Sequence, residues 1–201
     1  MSGAEARAGG GLERRAAGGL ERIDGLNRIA GRLGGLALLL MLGLGVWNVI
    51  GRYLGLALGL NLSSNALIEA QWLLFSLAFL LGMGWTLQRD GHVRIDVLSS
   101  HWPLRRQLRM EWWGLLLLLL PFALAALVLS VGPALEAWRI GEASPDPGGL
   151  PRAWGRSLIP LGFALLLLQG LAQARRARAA LGQERRAALA ERATQGGGHG
   201  A

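Results

Sequence analysis

Cysteine and lysine are absent from this chain of 201 residues, and histidine occurs only three times. Without cysteine the chain has no disulfide, no thiolate metal site and no cysteine nucleophile. All 21 basic residues are therefore arginines. They fall in blocks that are separated by long uncharged stretches, whereas charges are spread over the surface of a soluble domain. This distribution indicates a membrane protein.

The uncharged stretches have the length of membrane spans. A helix needs roughly 20 apolar residues to cross the hydrocarbon core of a bilayer. Four stretches reach or approach that length without a charge, at 33–51, 70–88, 112–135 and 157–174. We predict an all-α integral membrane protein whose four transmembrane helices, joined by interfacial or amphipathic connections, span about 33–58, 67–88, 110–135 and 156–174.

The segments outside these spans are rich in arginine. Residues 1–32 consist mainly of Gly, Ala and Arg, and their polarity argues against a cleaved signal peptide. We expect a flexible basic cytoplasmic tail there, a membrane domain at 33–174, and a second basic cytoplasmic tail at 175–201. The second tail either lies along the anionic head groups of the inner leaflet or is solvated.

Arginine and tryptophan predict the orientation. Six arginines precede residue 33, five lie within 89–109 and six follow residue 173, but none lies within 54–88 and three lie within 132–156. The positive-inside rule therefore places both termini in the cytoplasm. Tryptophans prefer the membrane interface, and only Trp47 falls deeper in a span. The others form an inner belt and an outer belt, consisting of Trp85, Trp102, Trp112 and Trp113, and of Trp72, Trp138 and Trp154.

The start of the second helix carries polar residues with two interpretations. Ser63, Ser64 and Asn65 are candidates for its N-cap. Glu69 follows in the first turns, where the helix dipole stabilises a carboxylate. Alternatively, Glu69 pairs with Arg52, since both fall at the outer membrane level. The sequence leaves both readings open.

Two further patterns predict helix packing and shape. Gly51, Gly55 and Gly59 recur at four-residue spacing, which allows another helix to approach closely. Pro121 lies near the middle of the third helix, where it removes the hydrogen bond to the carbonyl of Leu117 and predicts a kink.

Several classes of membrane protein are disfavoured by the interior of the spans. The middle third of each span contains no ionisable residue, although ion-coupled exporters require one there. A membrane cytochrome needs histidine ligands in the bilayer, and an intramembrane serine protease needs a serine and a histidine together. The three histidines lie in the loop or the tail, at His92, His101 and His199.

One stretch outside the spans, RDGHVRIDVL at 89–98, concentrates charge. As a helix it would place His92 and Asp96 on one face. Its alternation of polar and apolar residues also suits an interfacial elbow with Val93, Ile95 and Val97 in the lipid. One histidine and one aspartate are too few for a metal site, so an elbow that anchors the loop is the simpler interpretation.

Three blocks, in this order, resemble one family. They are WNVIGRYL, EAQWLLFSLAFLLGMGWTLQRDGHVRIDVL and EASPDPGGLPRAWGRSLIPLGFALLLLQG. Over about 36–172 the chain resembles the DctQ-like small membrane subunit of tripartite ATP-independent periplasmic (TRAP) transporters. The last block is most similar to the subgroup labelled for mannitol or chloroaromatic compounds.

The resemblance implies a subunit of a secondary transporter and no enzyme. It implies a DctM-like large permease subunit, a DctP-like periplasmic solute-binding protein and import of a small organic acid, a carboxylate, on an ion gradient. The small subunit would extend the static scaffold in the bacterial inner membrane, without cofactor or nucleic acid. Structural, lipid or subunit contacts would then involve Arg52, Glu69, Trp72, Arg89, His92, Arg94 and Asp96.

A different class of function remains compatible with the residues. The basic tails suit a stand-alone membrane adaptor or signalling module that recruits lipid or protein. Such an adaptor would behave as a separate folded unit, whereas a transporter subunit would form a stoichiometric complex with a larger membrane partner.

Overall fold

The computed structural model describes residues 3–60, 62–89 and 102–196, with side chains at 18–60, 62–89 and 102–190. All regular structure in these ranges is helical. The helices are α1 (Gly3–Leu58), α2 (Asn65–Gln88), α3 (Leu104–Gly114), α4 (Leu120–Arg139) and α5 (Ala153–Gly196). A π-helical turn, Leu115–Leu119, joins α3 to α4, and we call these three segments the third span. Among the described residues, four helical units are long and apolar enough to cross a membrane, which confirms the predicted fold class.

Two helices extend well past the apolar stretches. The 56 residues of α1 measure about 84 Å at 1.5 Å per residue, compared with about 30 Å for the hydrocarbon core. Where the sequence suggested a flexible tail at 1–32, α1 already begins at Gly3. Hydropathy shows where an apolar stretch ends, but it does not show where a helix ends. Ala, Glu and Arg have high helix propensity, so a helix can continue past the apolar stretch. For the same reason α5 continues past residue 174 to Gly196.

Short polar and glycine signals set the helix boundaries. Ser64 is the N-cap of α2, as predicted, and its Oγ accepts a hydrogen bond from Leu67 N at 3.4 Å. Gly59 ends α1 at a φ of 67°, the left-handed conformation that glycine adopts without a Cβ penalty. Leu60 N then donates to Gly55 O at 2.9 Å, which closes the turn.

The π-helical turn lies directly before Pro121. Proline has no N–H, so the preceding turn loses a regular hydrogen bond. A wider turn is a known way for a helix to accommodate such a defect. The structure has a π-helical turn at Leu115–Leu119 and α-helical structure resumes at Leu120, whereas the kink stays a prediction.

The helices are arranged in a row, in the order α1, α2, α5, third span. Helix α2 contacts α1 and α5, α5 contacts the third span, and α1 also meets α5 near Asn27 and Gln169. Within the ranges that the structure describes, no close backbone contact joins the third span to α1 or α2. We call the end with the α1–α2 and α4–α5 connections the loop end. The opposite end, where α1 begins and α5 ends, is the tail end.

Small residues bring neighbouring helices together. A Cβ on Gly34 would lie 3.0 Å from the carbonyl oxygen of Ala78, so α1 and α2 are in backbone contact there. A Cβ on Gly162 would lie 2.7 Å from Leu80 Cβ, which shows the same closeness between α5 and α2. These glycines are contact points between spans, because a larger side chain would push the helices apart.

The predicted ridge of glycines has a different role. A Cβ on Gly51 would lie 2.7 Å from Leu62 O, and one on Gly55 would lie 2.4 Å from Leu60 O. Both glycines therefore contact the chain as it turns back after α1, and not another helix as expected. Gly59 belongs to the turn itself. The four-residue spacing of glycines correctly predicted a close approach of another segment. It did not predict that this segment is the turn after α1.

The hydrophobic core lies between α2, α5 and the third span. It includes Leu87, Leu115, Leu166 and Ala177, with Phe163 packed against it. Large apolar side chains along α1 and α4, such as Leu39, Tyr53, Phe122 and Leu129, are instead exposed. In a membrane protein such surfaces face lipid tails or a partner subunit.

Candidate functional site

Glu69 ties the α4–α5 connection to α2 at the loop end. The hydroxyl of Ser144 donates to Glu69 Oε1, and Leu150 N donates to Glu69 Oε2 at 2.5 Å. Gly149 allows the connection to approach, because a Cβ there would lie 2.7 Å from Glu69 Oε1. Both carboxylate oxygens of Glu69 therefore bind the α4–α5 connection. This role differs from the two that the sequence suggested, stabilisation by the helix dipole and pairing with Arg52.

The predicted pair of Glu69 with Arg52 does not form. Glu69 uses Ser144 and Leu150 as its partners. The Arg52 side chain is exposed on α1, and among the described ion pairs none includes it. The two residues occupy the same end of the molecule, but Glu69 lies toward α5 while Arg52 lies on the outermost helix.

An ion pair between Arg156 and Glu142 also holds the α4–α5 connection. Arg156 donates to both oxygens of Glu142, at 2.7 Å from Nη2 to Oε1 and at 2.6 Å from Nε to Oε2. Such a two-point pair fixes orientation as well as distance. The backbone adds a bond from Arg152 N to Glu142 O at 2.9 Å. The connection is thereby held on both sides.

Tryptophans surround this region at the loop end. Trp138 and Trp154 meet edge to face with ring centroids 5.0 Å apart, and Trp138 Nε1 donates to Ser157 Oγ at 2.7 Å. Trp72 lies in the first turns of α2 and is 63% exposed. The three predicted outer-belt residues thus cluster at one end of the molecule.

A cavity of about 330 Å³ opens between α2 and α5 beside the network of Glu69. Its wall combines charged side chains at the loop end with apolar side chains further along the helices. The lining residues are Glu69, Trp72, Leu73, Ser76, Leu80, Leu150, Pro151, Arg152, Gly155, Arg156 and Ile159. We call this cavity the α2–α5 groove.

At the tail end, a chain of polar contacts joins α1 to α5. Asn27 Nδ2 donates to Gln169 Oε1 at 2.9 Å, and Gln169 Nε2 donates to Asp24 Oδ1 at 3.2 Å. Arg176 Nη2 donates to the other oxygen of Asp24. Asn27 and Gln169 are fully buried. We call these four residues the polar clasp.

Sequence reasoning did not find the polar clasp. Asn27 and Asp24 lie within the segment that was expected to be a flexible tail. Gln169 lies within an otherwise apolar stretch, and a polar residue inside a span is a signal for a specific contact. That signal identifies Gln169 but does not identify its partner on α1, 142 positions away.

The remaining predicted residues lie around the end of α2. The Arg89 guanidinium lies 4.6 Å from the ring centroid of Trp85, a cation–π contact. His92, Arg94 and Asp96 fall outside the described residues, so the elbow expected there stays a prediction. Arg52, Trp72 and Arg89 are all exposed and do not converge on one point.

The polar side chains described above are used for contacts within this chain. The carboxylates of Glu69, Glu142 and Asp24 each accept hydrogen bonds from side chains or backbone of this chain. In the described part of the chain, no three His, Cys, Asp or Glu residues are grouped so as to hold a metal ion. The polar groups therefore act as ties between helices.

The comparison with protein families agrees with these features. The chain matches the model described as the DctQ component of tripartite ATP-independent periplasmic transporters over residues 41–180. No curated protein matches the chain. The family match covers the groove, the second to fourth spans, and the first span from residue 41 onward. The chain therefore belongs to the DctQ family and is a small multi-pass subunit of a TRAP transporter in the inner membrane, not an enzyme.

Proposed function

We propose that this chain is the scaffold subunit that packs beside a DctM-like large permease subunit and serves a DctP-like periplasmic binding protein. The observation that carries this proposal is the absence of ionisable residues from the middle third of every span in the sequence. A subunit that binds neither the solute nor the coupling ion needs no such residue. The sites for both would then lie in the large subunit.

The row of helices supports a scaffold role. Its two edges, α1 and the third span, expose long apolar surfaces such as those around Leu39 and Leu129. A partner can pack along an edge without opening any contact between the four spans. We propose Arg52, Trp72 and Arg89 as exposed contacts with lipid or the large subunit, together with His92, Arg94 and Asp96.

The cargo that we propose is a small organic acid, a carboxylate, imported on an ion gradient. This proposal rests on the family, in which a large subunit and a periplasmic binding protein work with DctQ. The spans described above contain no feature that selects one acid over another, so the binding protein and large subunit would determine the substrate.

Uptake of labelled acid by proteoliposomes tests this function. The experiment would combine vesicles that hold a candidate DctM-like large subunit with a candidate DctP-like binding protein, under an imposed ion gradient. We expect uptake only when this chain is included. Unchanged uptake without it, together with failure of the two membrane subunits to copurify, would contradict the scaffold proposal.

A stand-alone adaptor is the second candidate, and the lengths of α1 and α5 favour it to some extent. Both helices carry arginine-rich segments past the apolar stretches, which offers a basic surface for lipid or protein. Copurification separates the two candidates. An adaptor would remain folded and monodisperse when the large subunit is deleted, whereas we expect a scaffold subunit to be degraded or inert.

We also propose that both termini are cytoplasmic. The arginine blocks favour this orientation, and the start of α1 and the end of α5 lie at the same end of the molecule. A reporter that is active only in the cytoplasm should work when fused after Ala201 and fail when inserted at Gly148. The reverse pattern would show that the molecule is inserted the other way.

A further inference from the structure

The α2–α5 groove is closed at one end and open at the other. The two helices touch at Leu80 and Gly162, and between that contact and the loop end they leave the space that the groove residues line. Gly155 keeps the space free, because a Cβ there would have only Leu73 Cδ1 near it, at 3.6 Å. From Glu69 to Leu80 the groove extends about 16 Å along α2, which is about half of the hydrocarbon thickness.

The chemistry of the groove changes along this length. Leu73, Leu80 and Ile159 form an apolar floor, whereas Arg152 and Arg156 lie at the open end. The order matches the depth profile of one membrane leaflet, which is apolar inside and polar at the head groups. The tryptophans Trp72, Trp138 and Trp154 lie at the same end, where an interfacial belt is expected.

One cation at the open end, Arg152, forms no ion pair among the described residues, and the nearby charge on which it acts is the Glu69 carboxylate. Arg156 is paired with Glu142, and Glu69 accepts from Ser144 and Leu150. Among the ion pairs and side-chain hydrogen bonds of the described residues, none includes the Arg152 guanidinium. Its side chain is exposed. A guanidinium in this position suits a phosphate oxygen, which it can bind with two hydrogen bonds.

We propose that the α2–α5 groove binds one phospholipid of the adjacent leaflet, with an acyl chain along Leu73, Leu80 and Ile159 and the phosphate at Arg152. A bound lipid would fill the space between the two central helices and hold them apart at a fixed distance. The lipid thereby becomes part of the rigid scaffold. This site is independent of the transport proposal, because it needs only this chain and a membrane.

Native mass spectrometry of the delipidated full chain, titrated with palmitoyl-oleoyl phosphatidylglycerol, tests the proposal. We expect one lipid bound per chain. Diacylglycerol, which has the same acyl chains without the phosphate, should bind more weakly by about fivefold, the effect of one arginine near an anionic head group.

Two variants with matched controls locate the site. Gly155→Leu fills the groove and should weaken binding by roughly tenfold or more, which corresponds to losing the burial of about two methylene groups. Gly43→Leu is its control, because Gly43 has no atom within 4 Å of a built Cβ and lies outside the groove. Arg152→Gln should weaken binding by about fivefold. Its control, Arg139→Gln, removes an exposed arginine of α4.

Two results would overturn the proposal. One is equal binding by the parent chain and by Arg152→Gln, a surface change that leaves the helix contacts intact. The other is displacement of the bound lipid when the large subunit assembles with the chain, which would show that a protein segment occupies the groove. Melting temperatures of all variants would confirm that Gly155→Leu is folded before its binding is compared.

Discussion

Single residues set how closely the spans approach at the tail end. A Cβ on Gly84 would lie 2.0 Å from Asn27 Oδ1, so only glycine fits beside this buried side chain. Asn27 Oδ1 has no hydrogen-bond partner among the described residues. Its amide nitrogen donates to Ile23 O and Gln169 Oε1. The side-chain oxygen of Asn27 is therefore left without a hydrogen bond, while its side-chain nitrogen forms two.

Gly84→Ala should destabilise the protein by about 1–3 kcal/mol, because the added methyl group enters an occupied space. Gly82→Ala, two residues away in the same helix, meets no atom within 4 Å and should be neutral or stabilising by up to about 1 kcal/mol. The measurement is unfolding in mixed micelles of increasing denaturing detergent. Equal stability of the two variants would show that α1 and α2 are not in contact at Gly84.

A second substitution tests the same contact from the other side. Adding Asn27→Ala to Gly84→Ala removes the oxygen that the methyl group meets, so the double variant should lose less stability than the sum of the two single losses. If the stability losses of the two single variants add up exactly in the double variant, Asn27 does not contact Gly84.

At the scale of helices, the polar clasp fixes α1 against α5. Gln169 accepts from Asn27 and donates to Asp24, so it is the central member of the chain. Buried polar groups are costly when a partner is removed and much less so when both partners become apolar. The clasp therefore specifies which turns of α1 and α5 meet.

Gln169→Leu should cost about 1–3 kcal/mol in unfolding free energy, because it leaves an N–H of Asn27 buried without an acceptor. The double variant Asn27→Leu with Gln169→Leu should lose less than the sum of the two single losses. Gln183→Leu, an exposed position of α5, is the control and should change stability by less than about 0.5 kcal/mol. A loss for Gln183→Leu as large as for Gln169→Leu would exclude a specific clasp.

At the scale of the whole molecule, the row leaves its two edges free. Helices α2 and α5 lie inside the row. Among the described helices, the third span is in backbone contact with α5 alone, and α1 contacts α2 and meets α5 at the polar clasp. An arrangement of this kind presents more apolar surface than a closed bundle of four helices, which suits a subunit that joins a larger membrane partner.

Cysteine pairs can test the row directly, since the chain contains no cysteine. Gly34→Cys with Ala78→Cys should form an intramolecular disulfide on oxidation, because a Cβ at 34 lies 3.4 Å from Ala78 Cα. Leu39→Cys with Leu124→Cys joins the two edges and should stay reduced. A disulfide at the second pair as efficient as at the first would show that the four spans close into a bundle.

Much of this protein could be predicted from its sequence, because the membrane imposes strong local rules. Uncharged stretches predicted four spans, and Ser63, Ser64 and Asn65 were the predicted N-cap candidates, of which Ser64 is the N-cap. Each depends on residues that are neighbours in the chain, and so each can be read from a short window.

The sequence by itself determined the number of spans and, through the motifs around Arg52, Glu69 and Trp72, the family. Only the tertiary structure decided that Glu69 binds the α4–α5 connection instead of Arg52, that Gln169 meets Asn27, and that a groove separates α2 from α5. These contacts join residues up to 142 positions apart along the chain. Apolar periodicity fixes which residues enter the membrane, but it leaves open which helix faces which, because lipid and helix surfaces are equally apolar. Small residues and buried polar groups make that choice, and their partners are known only once the helices are placed.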